Sequence, residues 1–209
     1  MKQYPSIESG YGQSFVDFQA HVFDKLDGSN LRFEWSRKQG WHKFGTRYRL
    51  FDKTDPVFAP AIPIWNNMFG EPMAKIAIDN RWQRVVAFAE FWGPGSLGGL
   101  HDPNTSKQLT LFDVSPYKQS LLEPREFLKL FSHLPIPNYL GKLHWTRDFV
   151  RKVYEGEIGS VTFEGVVGKA ASSHGSSHPP IMFKAKTKAW LDAIMTRYGE
   201  VEGKKIIES

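Results

Sequence analysis

The chain has 209 residues, of which 41% are hydrophobic and 23% charged, a balance that suits a globular fold with a core of its own. Lysine and arginine number 27 against 22 acidic residues, and the net charge of +5 favours an anionic partner without demanding one. No cysteine is present, which excludes disulfides and thiolate metal sites. No apolar run approaches the roughly 20 residues of a membrane helix, and the opening MKQYPSIES has no apolar signal core, so a cytoplasmic protein without membrane contact is expected.

Short strand-like runs alternate with a few helices, without the regular strand–helix repeat of a parallel sheet. Residues 31–35 (LRFEW) and 47–51 (RYRLF) predict strands around a glycine-containing loop. Further strands are predicted at 84–92 (RVVAFAEFW) and 108–114 (QLTLFDV), and a late pair at 161–169 and 181–186. Between that pair, ASSHGSSHPP is too rich in Ser, Gly and Pro for regular structure. A helix over 124–134 starts at Pro124, carries Phe127, Leu128, Leu130, Phe131 and Leu134, and stops before Pro135. A second, over 187–198, places Trp190, Leu191, Ile194, Met195 and Tyr198 on one face and ends at Gly199. The expectation is one α+β domain spanning 1–209, dominated by antiparallel strands.

The segment FDKLDGSN places Lys25 ahead of Asp27, Gly28 and Asn30, just before the strand LRFEW. A lysine amine is nucleophilic only when deprotonated, and burial or nearby cations can make it so. Gly28 lets the backbone turn close to a nucleotide, although taken alone the segment reads better as a surface turn before a strand. In FEGVVGK, Glu164 and Lys169 lie five apart and would face opposite ways in a regular strand, so a bend near Gly165 or Gly168 is needed to bring both to one pocket. There a carboxylate can hold Mg²⁺, directly or through water, while the lysine binds phosphate oxygens. Lys184 and Lys186, two apart, share a strand face, which suits either an anion held between them or a solvated sheet edge.

Taken together, K-x-D-G-x-N, E-G-x-V-x-K and K-x-K resemble, in order and spacing, the covalent nucleotidyltransferases, the superfamily of ATP-dependent DNA and RNA ligases and mRNA-capping guanylyltransferases. Within it the chain is similar to the phage-type RNA ligases of the nick-sealing class. The opening KQYPSIESGYGQSF, Asn30 at the end of the first motif, and FAEFWGPG at 88–95 carry that placement, which spans Lys2 to about Lys188. The resemblance implies two antiparallel sheets with flanking helices, and an enzyme that uses ATP with Mg²⁺ or Mn²⁺. It implies that Lys25 takes AMP, passes it to a nucleic-acid 5′-phosphate, and that a 3′-hydroxyl then displaces AMP. RNA is the favoured partner and the protein is expected to be a monomer.

By the same resemblance, Phe23 and Asp24 line the nucleotide site beside Lys25, Glu90 binds the ribose, and Phe112 stacks on adenine unless it is a core residue. Glu164 helps hold the metal, Lys184 and Lys186 contact the α-phosphate, and Lys169 is a third phosphate contact. The family's phosphate-gripping arginine falls on Arg47 or Arg37; Arg47 is preferred because a hairpin would return its strand beside LRFEW. Asp27 matches the DNA-ligase form where some nick-sealing enzymes have histidine, which leaves the sugar preference open. Family members usually continue into a second domain; only about 20 residues follow Lys188. A minimal DNA ligase, a capping-type guanylyltransferase and a non-catalytic nucleic-acid-binding relic are the rival readings. No G-x-x-x-x-G-K-[ST] loop is present, which excludes a P-loop ATPase. His174 and His178 lack an acidic third ligand for a metal, His101–Asp102 suits a solvated turn better than a substrate contact, and Trp41, flanked by His42 and Lys43, is a candidate nucleic-acid contact.

Overall fold

The computed structural model describes residues 1–10, 17–172 and 178–208. The strands, in chain order, are β1 (Glu8–Ser9), β2 (Phe18–Lys25), β3 (Gly28–Ser36), β4 (Gly40–Thr46), β5 (Leu50–Phe51), β6 (Arg84–Trp92), β7 (Gln108–Pro116), β8 (Tyr139–Trp145), β9 (Gly165–Ala170) and β10 (Ile181–Lys186). The helices are α1 (Ala61–Trp65), which runs through a π-helical turn (Asn66–Gly70) into α2 (Glu71–Asp79), then α3 (Pro124–Phe131), α4 (Arg147–Tyr154) and α5 (Lys188–Glu208). No helix among the described residues is long and apolar enough to cross a membrane. Two compact units result, one of Met1–Tyr4, Gly28–Ile136 and Ser172–Pro180, the other of Pro5–Asp27, Pro137–Ala171 and Ile181–Ser209.

The first unit is built on an antiparallel sheet in the order β5-β4-β3-β6-β7. Period-two alternation puts Leu31, Phe33, Val85, Ala87, Ala89, Phe91, Leu109 and Leu111 on one face, all buried. Trp65 of α1 covers that face, its ring stacked on Phe33 at 4.0 Å and on Phe69 at 4.9 Å. The other face carries Asn30, Arg32, Glu90 and Thr110, aligned by the pairings Asn30–Glu90 and Glu90–Thr110. Helix α3 begins at Pro124 as expected and ends at Phe131. The hairpin after β3 turns earlier than the sequence suggested: Gly40, at φ 65°, brings back β4 over Gly40–Thr46. Arg47 therefore lies past the end of the strand, in a turn where the Thr46 amide donates to Arg49 O at 2.8 Å.

The second unit holds a sheet in the order β1-β10-β9-β2-β8, antiparallel except for the two-residue β1, which runs parallel to β10. One face packs Ala20, Val22, Val166, Phe183 and Ala185 against Trp145 and the apolar stripe Phe149, Val150 and Val153 of α4. Helix α4 was not evident in the sequence, yet its start is conventional: Thr146 caps it by accepting the Phe149 amide at 3.1 Å. Strand β9 begins at Gly165 rather than at Val161. The helix expected over 187–198 does stop at Gly199, whose φ of 73° and ψ of 179° are not helical, and α5 resumes beyond that kink.

Candidate active site

In the second unit the face opposite the apolar core carries the lysines. The register aligns Phe23 with Val167 and Lys184, and Lys25 with Gly165 and Lys186, across three adjacent strands. Lys169, opposite His21, completes a face on which four of the predicted site lysines are brought together. Lys169, Lys184 and Lys186 are buried, and Lys25 keeps 24% of its side chain exposed. Glu164 lies at the head of β9, beside the row formed by Lys25 and Lys186. Its Oε1 is 2.8 Å from Lys25 Nζ and 3.5 Å from Lys186 Nζ.

The bend that the Glu164–Lys169 spacing required is at Gly165. Its φ of 148° favours glycine, and a Cβ there would stand 2.0 Å from Ala185 O. Thr187 fixes the neighbouring backbone, its amide donating to Glu164 O at 2.9 Å and its hydroxyl to Phe163 O at 2.7 Å. Behind the row, Asp27 accepts the indole N–H of Trp190 at 2.8 Å, and that ring lies 4.1 Å from Lys186 Nζ. Asp27 thus has a positioning partner 163 residues away that its motif gave no hint of. Lys186 also donates to Ile207 O at 2.9 Å. Burial, with Lys25 and Lys184 adding to it against the pull of Glu164, brings the Lys186 ammonium down to about 8. Lys169 sits over the Phe23 ring at 5.1 Å. Asp24 points to the core side; burial raises its pKa, Thr162 donates its amide to Oδ1 at 3.0 Å, and Oδ2 has no hydrogen-bond partner among the described residues.

The first unit brings together another set. Glu90 and Asn30 are direct cross-strand partners, and Asn30 Oδ1 is buried without a hydrogen-bond partner among the described residues. Phe112 occupies a β-bulge: Phe88 pairs with Asp113 and Ala89 with Leu111, so Phe112 is the extra residue. It is half-buried there rather than a core phenylalanine. Tyr4, which sequence reasoning missed, stands edge-on to Phe112 at 5.0 Å and to Phe88 at 5.1 Å, and donates its hydroxyl to Asp113 Oδ2 at 2.5 Å. Burial first, then the charge of Asp113, raises the Tyr4 phenol well above its ordinary range; Arg47 opposes this and Glu90 adds to it. Arg47 and Glu90 therefore both lie within electrostatic reach of Tyr4. Arg37 does not join them: it sits in the turn at the opposite end of β3 from Asn30, roughly 20 Å along the strand.

One expectation is corrected. His101 is not in a solvated turn; its Nε2 meets Ser29 Oγ at 2.9 Å, its Nδ1 meets Ser96 Oγ at 3.1 Å, and its ring packs on Phe91. Burial, with a contribution from Lys107, lowers its pKa to about 4. Trp41 is half-buried, edge-on to Trp65 at 4.8 Å with its N–H donated to Gly70 O at 2.8 Å. His174 lies outside the described residues, and no group of three His, Asp or Glu side chains able to hold a metal occurs among those described.

No protein-family model and no curated protein matches the sequence. Solved structures do. An archaeal ATP-dependent RNA ligase (form 1) superposes with a TM-score of 0.64 at 16% identity, over 99% of this chain and 56% of that one. A Naegleria gruberi RNA ligase with PPi gives 0.59 at 18% identity, over 84% of this chain and 51% of that one. A variant of the Naegleria enzyme, solved with ATP and Mn, gives 0.58 at 17% identity over the same shares. The chain thus spans about half the length of each of these structures. Its fold is the one that these ATP-dependent RNA ligases carry.

Proposed function

We propose that the protein is an ATP-dependent RNA ligase in which Lys25 is the nucleophile. The observation that carries the reading is the Lys25–Glu164–Lys186 row, with Lys25 Nζ 2.8 Å from a buried carboxylate and Lys184 on the same face. Glu164 is the acceptor in hydrogen-bond range for a proton that the Lys25 ammonium must shed. The freed nitrogen attacks the α-phosphorus of ATP, the bond to the bridging oxygen breaks, and pyrophosphate leaves with that electron pair. The attacking nitrogen then releases its second proton to solvent, leaving the neutral lysyl–AMP phosphoramidate. Lys184 and Lys186 stabilise charge on the α-phosphoryl oxygens, which is the dominant contribution in phosphoryl transfer. AMP then passes to a nucleic-acid 5′-phosphate, and attack by a 3′-hydroxyl seals the strand and releases AMP.

On the resemblance, Glu90 is assigned to the ribose, Phe112 to the adenine, Arg47 to a phosphate and Asn30, the cross-strand partner of Glu90, to the same nucleotide. The orphaned Asn30 Oδ1 favours a ligand donor there. For Mg²⁺ or Mn²⁺ the donor set fits an ion delivered with the nucleotide: one carboxylate, Glu164, and no preformed cage among the described residues. Bound that way, the ion would neutralise phosphate charge. Incubation with α-labelled ATP should give an acid-labile, base-stable adduct that Lys25→Ala abolishes and that Lys184→Ala reduces at least about tenfold. Labelling of the Lys25→Ala chain would overturn the assignment, and labelling by GTP instead would move the protein to the capping enzymes.

A further inference from the structure

The lysine face of the second unit continues beyond Lys25 and Phe23 into a surface that the adenylation chemistry does not use. Strand β8 is the edge of this sheet, and its register with β2 pairs Tyr139 with Phe23, Lys142 with His21 and His144 with Gln19. Because Ala20 and Val22 point into the core, Gln19, His21 and Phe23 point the other way, and their partners on β8 point with them. The bulge between Val22 and Phe23 keeps Tyr139 on that face.

These side chains form an ordered ladder. Lys169 lies over Phe23, Phe23 meets Tyr139 at 5.2 Å, and Tyr139 stacks on His21 at 5.8 Å with an interplanar angle of 23°. The Tyr139 hydroxyl is 2.8 Å from His21 Nδ1, which holds both rings in place while 40% of Tyr139 remains exposed. Lys142 beside them is exposed, and His144, bonded to Gln19 at 3.2 Å, extends the row. The carboxylate found on this stretch is Asp17, 3.7 Å from His144 at the far end.

We infer that this β2–β8 face is the track for the 5′-phosphorylated nucleic-acid strand, with Tyr139 and His21 presenting a stacking surface to a base and Lys142 contacting a phosphate. Aromatic rings held rigid next to cations are the combination that binds a polynucleotide strand regardless of its sequence, since every base has a face to stack and every linkage a charge. An acidic peptide would use the cations and leave the rings without a task. The inference deepens the ligase reading and rests on it for the identity of the strand.

The test uses the full chain, with a 5′-phosphorylated single-stranded RNA and a nicked RNA duplex as probes. Lys142→Glu and Tyr139→Leu are each expected to weaken RNA binding and sealing at least about fivefold, whereas Tyr139→Phe retains most of both because the ring remains. Lys142→Glu should also make the salt dependence of binding shallower by about one counterion. ATP labelling of Lys25 should be unchanged in Lys142→Glu, which separates a lost track from a misfolded chain. Wild-type binding and sealing by Lys142→Glu and Tyr139→Leu would overturn the inference, as would equal competition by polyglutamate. Failure of the wild-type chain to label with ATP would strike the ligase reading alone, leaving the binding measurement to decide the track.

Discussion

Lys186→Met should stabilise the folded chain near neutral pH while it disables adenylation. Lys186 is buried to 7% exposure, and burial brings its ammonium from an ordinary 10.5 down to about 8. That drop corresponds to about 3 kcal/mol of destabilisation carried by the folded state whenever the side chain is charged. The sign follows from proton counting. Below about pH 8 the lysine is protonated folded and unfolded, and the full cost applies. Between about 8 and 10.5 the folded chain loses its proton first, so stability rises with pH; above 10.5 the cost is gone. Methionine has similar length and no charge, but it forfeits the hydrogen bond from the ammonium to Ile207 O, which is worth about 2 kcal/mol. The expected net gain is about 1 kcal/mol near pH 7, and it is lost by about pH 9.5. Urea unfolding followed by tryptophan fluorescence at both pH values measures the difference, and terms that do not titrate cancel in it. A stability difference between the two chains that stays constant with pH would refute the idea that this site holds a costly charge.

Gly165→Ala should destabilise the protein severely and abolish ATP labelling, because φ is 148° there and the new Cβ would meet Ala185 O at 2.0 Å; a normal urea midpoint would contradict this. His101 should stay neutral down to about pH 5, and its ring shifts in an NMR titration should move only near its pKa of about 4. Since the unfolded chain binds that proton earlier, His101 favours the fold fully above an ordinary histidine value of 6.5 and loses that contribution as pH falls towards 4; titration near 6.5 would place the ring in solvent.

Features of the site that depend on local spacing were legible. Lys184 and Lys186 share a face because strands alternate, and the need for a bend between Glu164 and Lys169 is met by Gly165. The helix ending at Gly199 was equally clear. The connection through α1 and α2 was not, because Pro63, Gly70 and Pro72 interrupt its helical pattern. The fold accommodates them by placing Pro63 in a first turn, absorbing Gly70 in a π-helical turn and using Pro72 at the start of α2. Strand β8, YLGKLHW, mixes polar and apolar residues across a bulge and so shows no clean alternation. The position of Phe112 was illegible for a related reason: a bulge cannot be deduced from one strand without its partner's register. The Tyr4–Asp113 and Asp27–Trp190 hydrogen bonds span 109 and 163 residues, and no local pattern announces contacts of that range.

The lysine face is a poor way to build stability and a good way to bind polyphosphate. Lys184 and Lys186 stand two residues apart on one strand face, about 6.6 Å, where two like charges repel by on the order of 2 kcal/mol at an effective dielectric near 20. Lys25 adds a third charge and Lys169 a fourth on the same face, and the carboxylate of Glu164 is in contact with Lys25 and Lys186. A fold selected for stability alone would replace these lysines with apolar residues. It instead invests supports in holding them: the Trp190 ring under Lys186, Asp27 under Trp190, and Thr187 on the backbone of Glu164. Such strain is relieved when an anion arrives, and relieved most when the anion's charge spreads over the α-phosphoryl oxygens in the transition state. In the proposed reaction, the repulsion stored in the free protein would be returned as preference for the reacting nucleotide. On the proposed reading, the lysine row, costly by itself, is the element on which adenylation at Lys25 would depend.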